Sequence, residues 1–328
     1  MRSNPPPVAT RVLPACADTI AEAAALLREG KLVAFPTETV YGLGANALDD
    51  FAVSRIFAAK DRPRFNPLIV HVLEREEAEE LVLFNPVASA LADAFWPGGL
   101  TLVLPRREPS GLALLVSAGL DTAAVRSPAH PTARALLEKA GVPIAAPSAN
   151  RAGSVSPTTA EAVVEELSGR IDAVLDGGPC PIGLESTVIG FHDGQAVLLR
   201  TGAVPREAIE RIAGPLAPPN SNRIEAPGMM ASHYAPRARL RLHATDVRPG
   251  ESLLAFGAAI PEGARMVRNL SKNGDLTEAA ANLFAMLRAL DKSGAATIAV
   301  MPVPDIGLGE AINDRLARAA APRTNEHL

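Results

Sequence analysis

The chain has 328 residues, 48% of them hydrophobic and 21% charged, with a formal charge of −4. That length favours two domains over one, and that composition excludes a disordered chain. The negative balance argues against a general attraction to nucleic acid but leaves room for a local basic pocket.

Cys16 and Cys180 are the only cysteines, which gives no disulfide framework and points to a reducing compartment. The opening "MRSNPPPVATRVLP" lacks the apolar centre of a signal peptide. No apolar run is long enough to span a bilayer, so a cytoplasmic protein without membrane attachment is expected. Proline, at 29 residues against a usage of about 5%, predicts rigid, shaped loops.

The pattern alternates between helix and strand. Thr19 with Glu22 reads as a capping box for a helix through "AEAAALLRE" that stops at Gly30. The apolar run Leu32 to Phe35 reads as a strand, emptying into a loop with Thr37, Glu38, Thr39 and Tyr41, where Gly42 and Gly44 permit the return. Asn85 and Pro86 predict a helix start, "LTLVLP" a strand, "HPTARALLEKAG" a helix closed by Gly141, and "VPIAA" a short strand. Thr158 with Glu161 caps a further helix, and two strand-like runs around Asp193-Gly194 predict a hairpin. These signals predict an α/β fold with a twisted, mixed, open sheet. The expected division is a larger α/β domain over 1–212, a Pro-rich linker over 213–237, and a smaller α/β domain over 238–328. In the last, "ARLRLHA", "SLLAFG" and "ATIAVM" read as strands and "EAAANLFAMLRALDKSG" as a helix.

Four segments put polar groups beside apolar strands, where open α/β sheets bind ligands. The Thr37–Tyr41 loop is either a ligand wall or a plain turn with self-satisfied hydroxyls. Lys60, Arg62 and Arg64, before the strand "PLIVHV", are either a polyphosphate grip or a solvated basic turn. His71 in that strand is a weak signal by itself. Thr122 and Arg126 are four apart in "TAAVR" and so share a strand face. Ser148, Asn150, Gly153 and Ser156, before a helix N-terminus, suit an anion or an ordinary loop. There is no G-x-x-x-x-G-K-[ST] loop, no G-x-G-x-x-G fingerprint, no zinc spacing and no G-x-S-x-G elbow.

Together, "FPTETVYGLGANA", "KDRPRFNPLIVHV", "FWPGGLTLVL", "GLDTAAVRSP", "PIAAPSAN", "ESTVI" and "LLRTGAV" resemble, in order, the YrdC-type threonylcarbamoyl-AMP synthases. The segment "PGMMASHYAP" and the α/β unit after it resemble the extra C-terminal domain of the long form. The resemblance implies a YrdC-like catalytic fold plus a Rossmann-like C-terminal domain. The implied enzyme is a nucleotidyltransferase joining L-threonine, bicarbonate and ATP into threonylcarbamoyl-AMP with release of pyrophosphate, and magnesium is the implied ion. Hand-over to a separate tRNA threonylcarbamoyl transferase is implied, without stable direct nucleic-acid binding. On the family pattern Lys60 and Arg62 are catalytic. Thr39, His71, Arg126, the Ala146 backbone and Ser186 hold threonine. Arg62, Asn66, Thr122, Ser148, Asn150, Ser156, Arg200 and Tyr234 contact ATP, and Thr37 and Tyr41 are wall residues. No residue is assigned as a metal ligand. Tyr234 falls in the linker, which is then either a lid folded back over the nucleotide or a passive spacer, the reading that the sequence alone favours. The rival class is an RNA-binding module without catalysis; the acidic balance and 4% aromatic content count against it. A second rival, a carbamoyl-adenylate-forming domain, needs zinc-finger segments that the cysteine spacing does not allow.

Overall fold

The computed structural model describes residues 9–63, 66–218 and 234–322. Its strands are β1 (Arg11–Pro14), β2 (Val33–Phe35), β3 (Gly42–Asn46), β4 (Ile69–His71), β5 (Leu100–Pro105), β6 (Thr122–Arg126), β7 (Ile144–Ala145), β8 (Ala173–Asp176), β9 (Thr187–His192), β10 (Gln195–Arg200), β11 (Arg239–Arg241), β12 (Ser252–Ala255), β13 (Val267–Asn269) and β14 (Thr297–Val300). Its helices are α1 (Ala17–Arg28), α2 (Asp50–Lys60), α3 (Arg75–Leu81), α4 (Pro86–Phe95), α5 (Pro131–Ala140), α6 (Ala160–Leu167), α7 (Arg206–Ala213), α8 (Leu276–Lys292) and α9 (Leu308–Ala320). Arg64 and most of the expected linker, 219–233, lie outside the described residues.

The first ten strands make one sheet in the order β1-β8-β2-β3-β7-β4-β6-β5-β9-β10. It is mixed: β4 and β6 run parallel, β5 and β6 antiparallel, and β9 and β10 form the expected hairpin. The remaining strands form an all-parallel sheet, β11-β14-β12-β13. Such a sheet needs helical crossovers that cover it, and α8 and α9 pack on it through Leu283, Phe284, Leu287, Ile312 and Leu316.

Local chemistry explains most helix starts. The Asn85 side chain accepts from Ala88 N at 2.8 Å, with Pro86 in the first turn of α4. At α1 the box differs from the expected one. The helix begins at Ala17 with Cys16 as N-cap, and Thr19 reaches back to accept from Cys16 N at 3.1 Å. Glu22 is instead paired with Arg11 at 2.5 Å. The α6 cap is Thr159 rather than Thr158.

Gly42 and Gly44 do not belong to a loop. They lie in β3, antiparallel to β2, with Val33 opposite Gly44 and Phe35 opposite Gly42. The buried Phe35 ring explains the glycine: a Cβ on Gly44 would sit 2.9 Å from Phe35 Cε1 and 3.0 Å from Ile144 Cγ2.

The two units share an apolar interface. Val40, Val155 and Leu184 of the large unit join Tyr234, Phe284 and Leu287 in one buried cluster. Gly183 lets the backbones meet, since a Cβ there would lie 2.5 Å from Ala280 O of α8. Ion pairs Arg288–Glu166 (3.0 Å) and Lys292–Glu165 (2.5 Å) flank this contact.

Candidate active site

A cavity opens on one face of the large sheet, at the carboxyl ends of the parallel strands β4 and β6. His71 and Arg126 are register partners there. Alternation along each strand puts Ile69 with His71, and Ala124 with Arg126, on that face. The apolar residues Ile69, Val103, Ala124, Val188, Val197 and Leu199 pave it. Arg200 arrives by a different device. Simple alternation would turn it toward the opposite core with Leu198. The β9–β10 register shifts between Leu198 and Arg200, and this bulge re-aims the arginine into the cavity.

The cavity is lined by Thr37, Thr39, Val40, Gly42, Arg62, Ile69, His71, Arg126, Ala146, Pro147, Ser148, Glu185, Ser186, Arg200 and Tyr234. It thus gathers nine of the residues named from sequence: Thr39, Arg62, His71, Arg126, Ala146, Ser148, Ser186, Arg200 and Tyr234.

Within it Arg126 is held on three sides. It donates to Gly98 O (3.0 Å), Thr39 Oγ1 (2.9 Å) and Glu38 Oε1 (2.5 Å). The second oxygen of Glu38 accepts from Ala129 N and His130 N at 3.0 and 3.2 Å. Burial pushes the Glu38 carboxyl up, but the adjoining Arg126 outweighs it and holds the pKa below its ordinary value. Thr37 Oγ1 donates to Val40 O and bonds Thr39 Oγ1, both at 2.7 Å. The loop therefore satisfies its own hydroxyls and walls the cavity too; the two sequence readings are compatible. His71 is buried, its Nδ1 has no partner among the described residues, and its ring meets Phe35 edge-on. Burial and then Arg126 lower its pKa to about 3, so it is neutral at physiological pH.

In the same lining Arg62 donates to Pro67 O at 3.0 Å, and Arg200 donates to Ser186 O through Nε (3.1 Å) and Nη2 (2.9 Å). Ser186 Oγ also bonds Thr101 Oγ1 at 2.7 Å. Tyr234, buried, has positive φ and stacks on Phe284 with ring centroids 5.5 Å apart.

Six expected residues are placed otherwise. Lys60 does not face the cavity. Its buried ammonium donates to Ser148 O at 2.6 Å and to Asn150 O, fastening that loop to the end of α2. Burial, then the neighbouring Arg62 charge, draws its pKa well down. Asn150 Nδ2 is spent on Arg151 O and Ser154 O, both at 2.8 Å. Ser156 donates to Glu185 Oε1 at 2.5 Å, behind the lining. Asn66 is buried beside Arg62, whose Nε donates to its carbonyl at 3.4 Å. Thr122 shares the face of Arg126 but begins β6, about 13 Å away at roughly 3.3 Å per residue, in a separate depression with Val103 and Gly190. Tyr41, expected in the wall, is buried with its hydroxyl on Gly178 O at 2.8 Å.

Sequence reasoning missed three residues. Glu38 was visible only as one member of a polar loop, yet it anchors Arg126. Glu185, in "ESTVI", lines the cavity with its pKa held at about 2: burial raises it, and Arg315 and Arg200 outweigh that. Arg315 lies in α9, a helix not expected from sequence. Its signal was there: Leu308, Ala311, Ile312, Leu316 and Ala319 form a helical stripe, and Arg315 falls on it.

Fold and cavity define an α/β protein with an arginine-rich ligand cavity built on a mixed sheet and closed on one side by Tyr234. The Sua5, YciO and YrdC family model, described as "Telomere recombination", matches residues 25–202, and the model "Threonylcarbamoyl-AMP synthase, C-terminal domain" matches residues 204–321. The chain belongs to this family, in its two-domain form. A threonylcarbamoyl-AMP synthase of Bacillus subtilis is 44% identical over 325 residues, 93% of each chain. One from Pyrococcus abyssi is 44% identical over 324 residues, 92% of this chain and 94% of that protein. The crystal structure of P. abyssi Sua5 complexed with L-threonine superposes with a TM-score of 0.88 at 42% identity, covering 95% of this chain and 98% of that one. Among the described residues no helix is long and apolar enough to cross a membrane.

Proposed function

We propose that this chain is an L-threonylcarbamoyladenylate synthase, condensing L-threonine, bicarbonate and ATP into threonylcarbamoyl-AMP and pyrophosphate. The observation that carries the reading is one cavity with two kinds of anion site. Arg126, braced by Glu38 and Thr39, suits a single carboxylate. Arg62 and Arg200, in the same lining, suit phosphates.

Threonine then pairs its carboxylate with Arg126, near Thr39, His71, Ser186 and the Ala146 carbonyl. The Ala146 N–H is already given to Ile69 O at 2.8 Å. Neutral His71 accepts a hydrogen bond without adding charge. Threonine's amine adds to bicarbonate with loss of water, and the resulting carbamate oxygen attacks the α-phosphorus. The bond to the β-phosphate bridging oxygen breaks, and pyrophosphate leaves. Negative charge grows at the α-phosphate, where Arg62 and Arg200 offset it, and much of the rate comes from positioning. Ser148 and Tyr234 contact the nucleotide directly. Lys60, Asn66, Asn150 and Ser156 shape the wall that meets it. Thr122 is reached by the base end, across the apolar strip of Ala124 and Val103.

Magnesium, if bound, would supply counter-charge to the phosphates. The carboxylates lining or backing the cavity among the described residues, Glu38 and Glu185, are each committed to an arginine, so the side chains do not form a cage for it. The product is a mixed anhydride, suited to hand-over to a tRNA threonylcarbamoyl transferase in the cytoplasm. The all-parallel β11–β14 sheet with α8 and α9 supports a Rossmann-like reading of the 238–328 domain, joined through 213–237 to the catalytic domain 1–212. The test is pyrophosphate release from ATP with threonine and bicarbonate omitted in turn. Release should need both, and release independent of threonine refutes the reading.

A further inference from the structure

The C-terminal unit brings one buried charge against the cavity lining. Arg315 of α9 is fully buried. Its Nε donates to Glu185 Oε2 at 3.0 Å and its Nη2 to Thr201 O at 2.8 Å, both in the large unit. Its Nη1 donates to Asp314 Oδ2 at 2.7 Å, and its guanidinium lies 5.4 Å from the centre of the Tyr234 ring. Ser156 caps the other oxygen of Glu185 at 2.5 Å. One guanidinium thus touches a cavity carboxylate and a cavity aromatic without being part of the lining itself.

We propose that Arg315 is a positioning residue for the nucleotide. It neutralises and fixes Glu185, so that Arg62 and Arg200 meet phosphate instead of being claimed by a bare carboxylate. The inference rests on the nucleotide reading of the cavity. The chemistry is simple. Glu185 faces the same space as Arg62 and Arg200, and an uncompensated carboxylate in a poorly solvated pocket repels a polyanion and captures the nearest arginine. Supplying the counter-charge from α9 makes nucleotide affinity depend on the docked C-terminal unit. That gives the second domain a catalytic consequence without any contact to substrate. The depressed Glu185 pKa, with Arg315 its leading electrostatic cause, agrees with this geometry.

The test compares full-length parent, Arg315→Gln, Glu185→Gln and the double variant. Each is assayed for pyrophosphate release with ATP varied, for the Michaelis constants of ATP and threonine separately, and for equilibrium ATP binding. Arg315→Gln should raise the ATP constant at least about tenfold, roughly 1.4 kcal/mol, and the threonine constant less than about twofold. Adding Glu185→Gln should return the ATP constant to within about threefold of the parent, because the offending charge is gone. In Arg315→Gln the Glu185 carboxyl keeps its burial and loses its main counter-charge, so its pKa rises and ATP binding should improve as pH falls. A rise of both Michaelis constants together, an ATP constant unchanged in Arg315→Gln, or a double variant no better than the single overturns the proposal. If Arg315→Gln does not fold, the double variant decides: near-parental ATP binding supports the inference and a tenfold loss overturns it. A parent that binds ATP but releases no pyrophosphate overturns the proposed reaction alone, and the binding arm still decides on Arg315.

Discussion

Replacing Glu38 by alanine should be the most destabilising single change at the carboxylate site of the cavity. Glu38 supplies the counter-charge of Arg126 at 2.5 Å, and both groups are buried. Breaking a buried pair by removing one member costs about 3–5 kcal/mol, because the remaining charge is left uncompensated. The backbone N–H groups of Ala129 and His130 lose their acceptor as well, each worth about 1–3 kcal/mol if water cannot reach it. Water entering the space left by the side chain limits the sum, so about 3–5 kcal/mol is expected in urea unfolding at pH 7. Glu38→Gln keeps an acceptor oxygen and should cost less. Threonine provides an independent reading. In the proposed binding mode its carboxylate would replace the missing counter-charge on Arg126, so saturating threonine should stabilise Glu38→Ala more than the parent. The acid limb has a definite sign. The folded pKa of Glu38 is depressed, so its stabilisation is present above the unfolded value near 4.3 and is lost as pH falls through the folded one. The difference between parent and variant should therefore shrink below about pH 4. A loss under about 1 kcal/mol, the scale of an exposed pair, or equal stabilisation by threonine in both proteins, would refute the reasoning.

Two further changes probe the scaffold. Lys60→Met removes the donor to Ser148 O and Asn150 O and should lower pyrophosphate release more than about tenfold, about 1.4 kcal/mol in the transition state. Lys60→Arg, too large for the buried site, should not restore it, and a fully active Lys60→Met would show that the clamp is dispensable. Gly183→Ala drives a Cβ to 2.5 Å from Ala280 O at a residue with φ of +75°. Overpacking and left-handed strain together should cost about 2–4 kcal/mol, read as a lower melting temperature with weaker ATP binding.

Much of the large unit was legible because its signals are local. The Asn85-Pro86 start of α4, the Gly141 end of α5 and the Asp193-Gly194 turn each depend on residues within a few positions. The arginines and serines of the cavity were legible as types beside strand ends. Their orientation was not. Lys60 and Arg62 are two residues apart, yet one fastens a loop 88 residues away in sequence and the other faces the cavity. The choice depends on which carbonyls the Ser148–Asn150 loop brings to the end of α2, and no local pattern encodes that.

Arg200 and Arg315 mark the boundary more sharply. Period-two alternation would put Arg200 with Leu198 in the core, and only the β9–β10 register shift turns it the other way. A bulge depends on pairing between strands, so reading one strand alone gives the wrong face. Arg315 violates a pattern that was readable, since it is a charge on the apolar stripe of α9. A buried arginine must find a fixed partner. Besides Asp314 on its own helix, the acceptors it finds lie in the neighbouring unit, at Glu185 and Thr201. The misplaced charge is thus the most economical sequence sign that the two units function as one, and the Arg315–Glu185 variants test that conclusion directly.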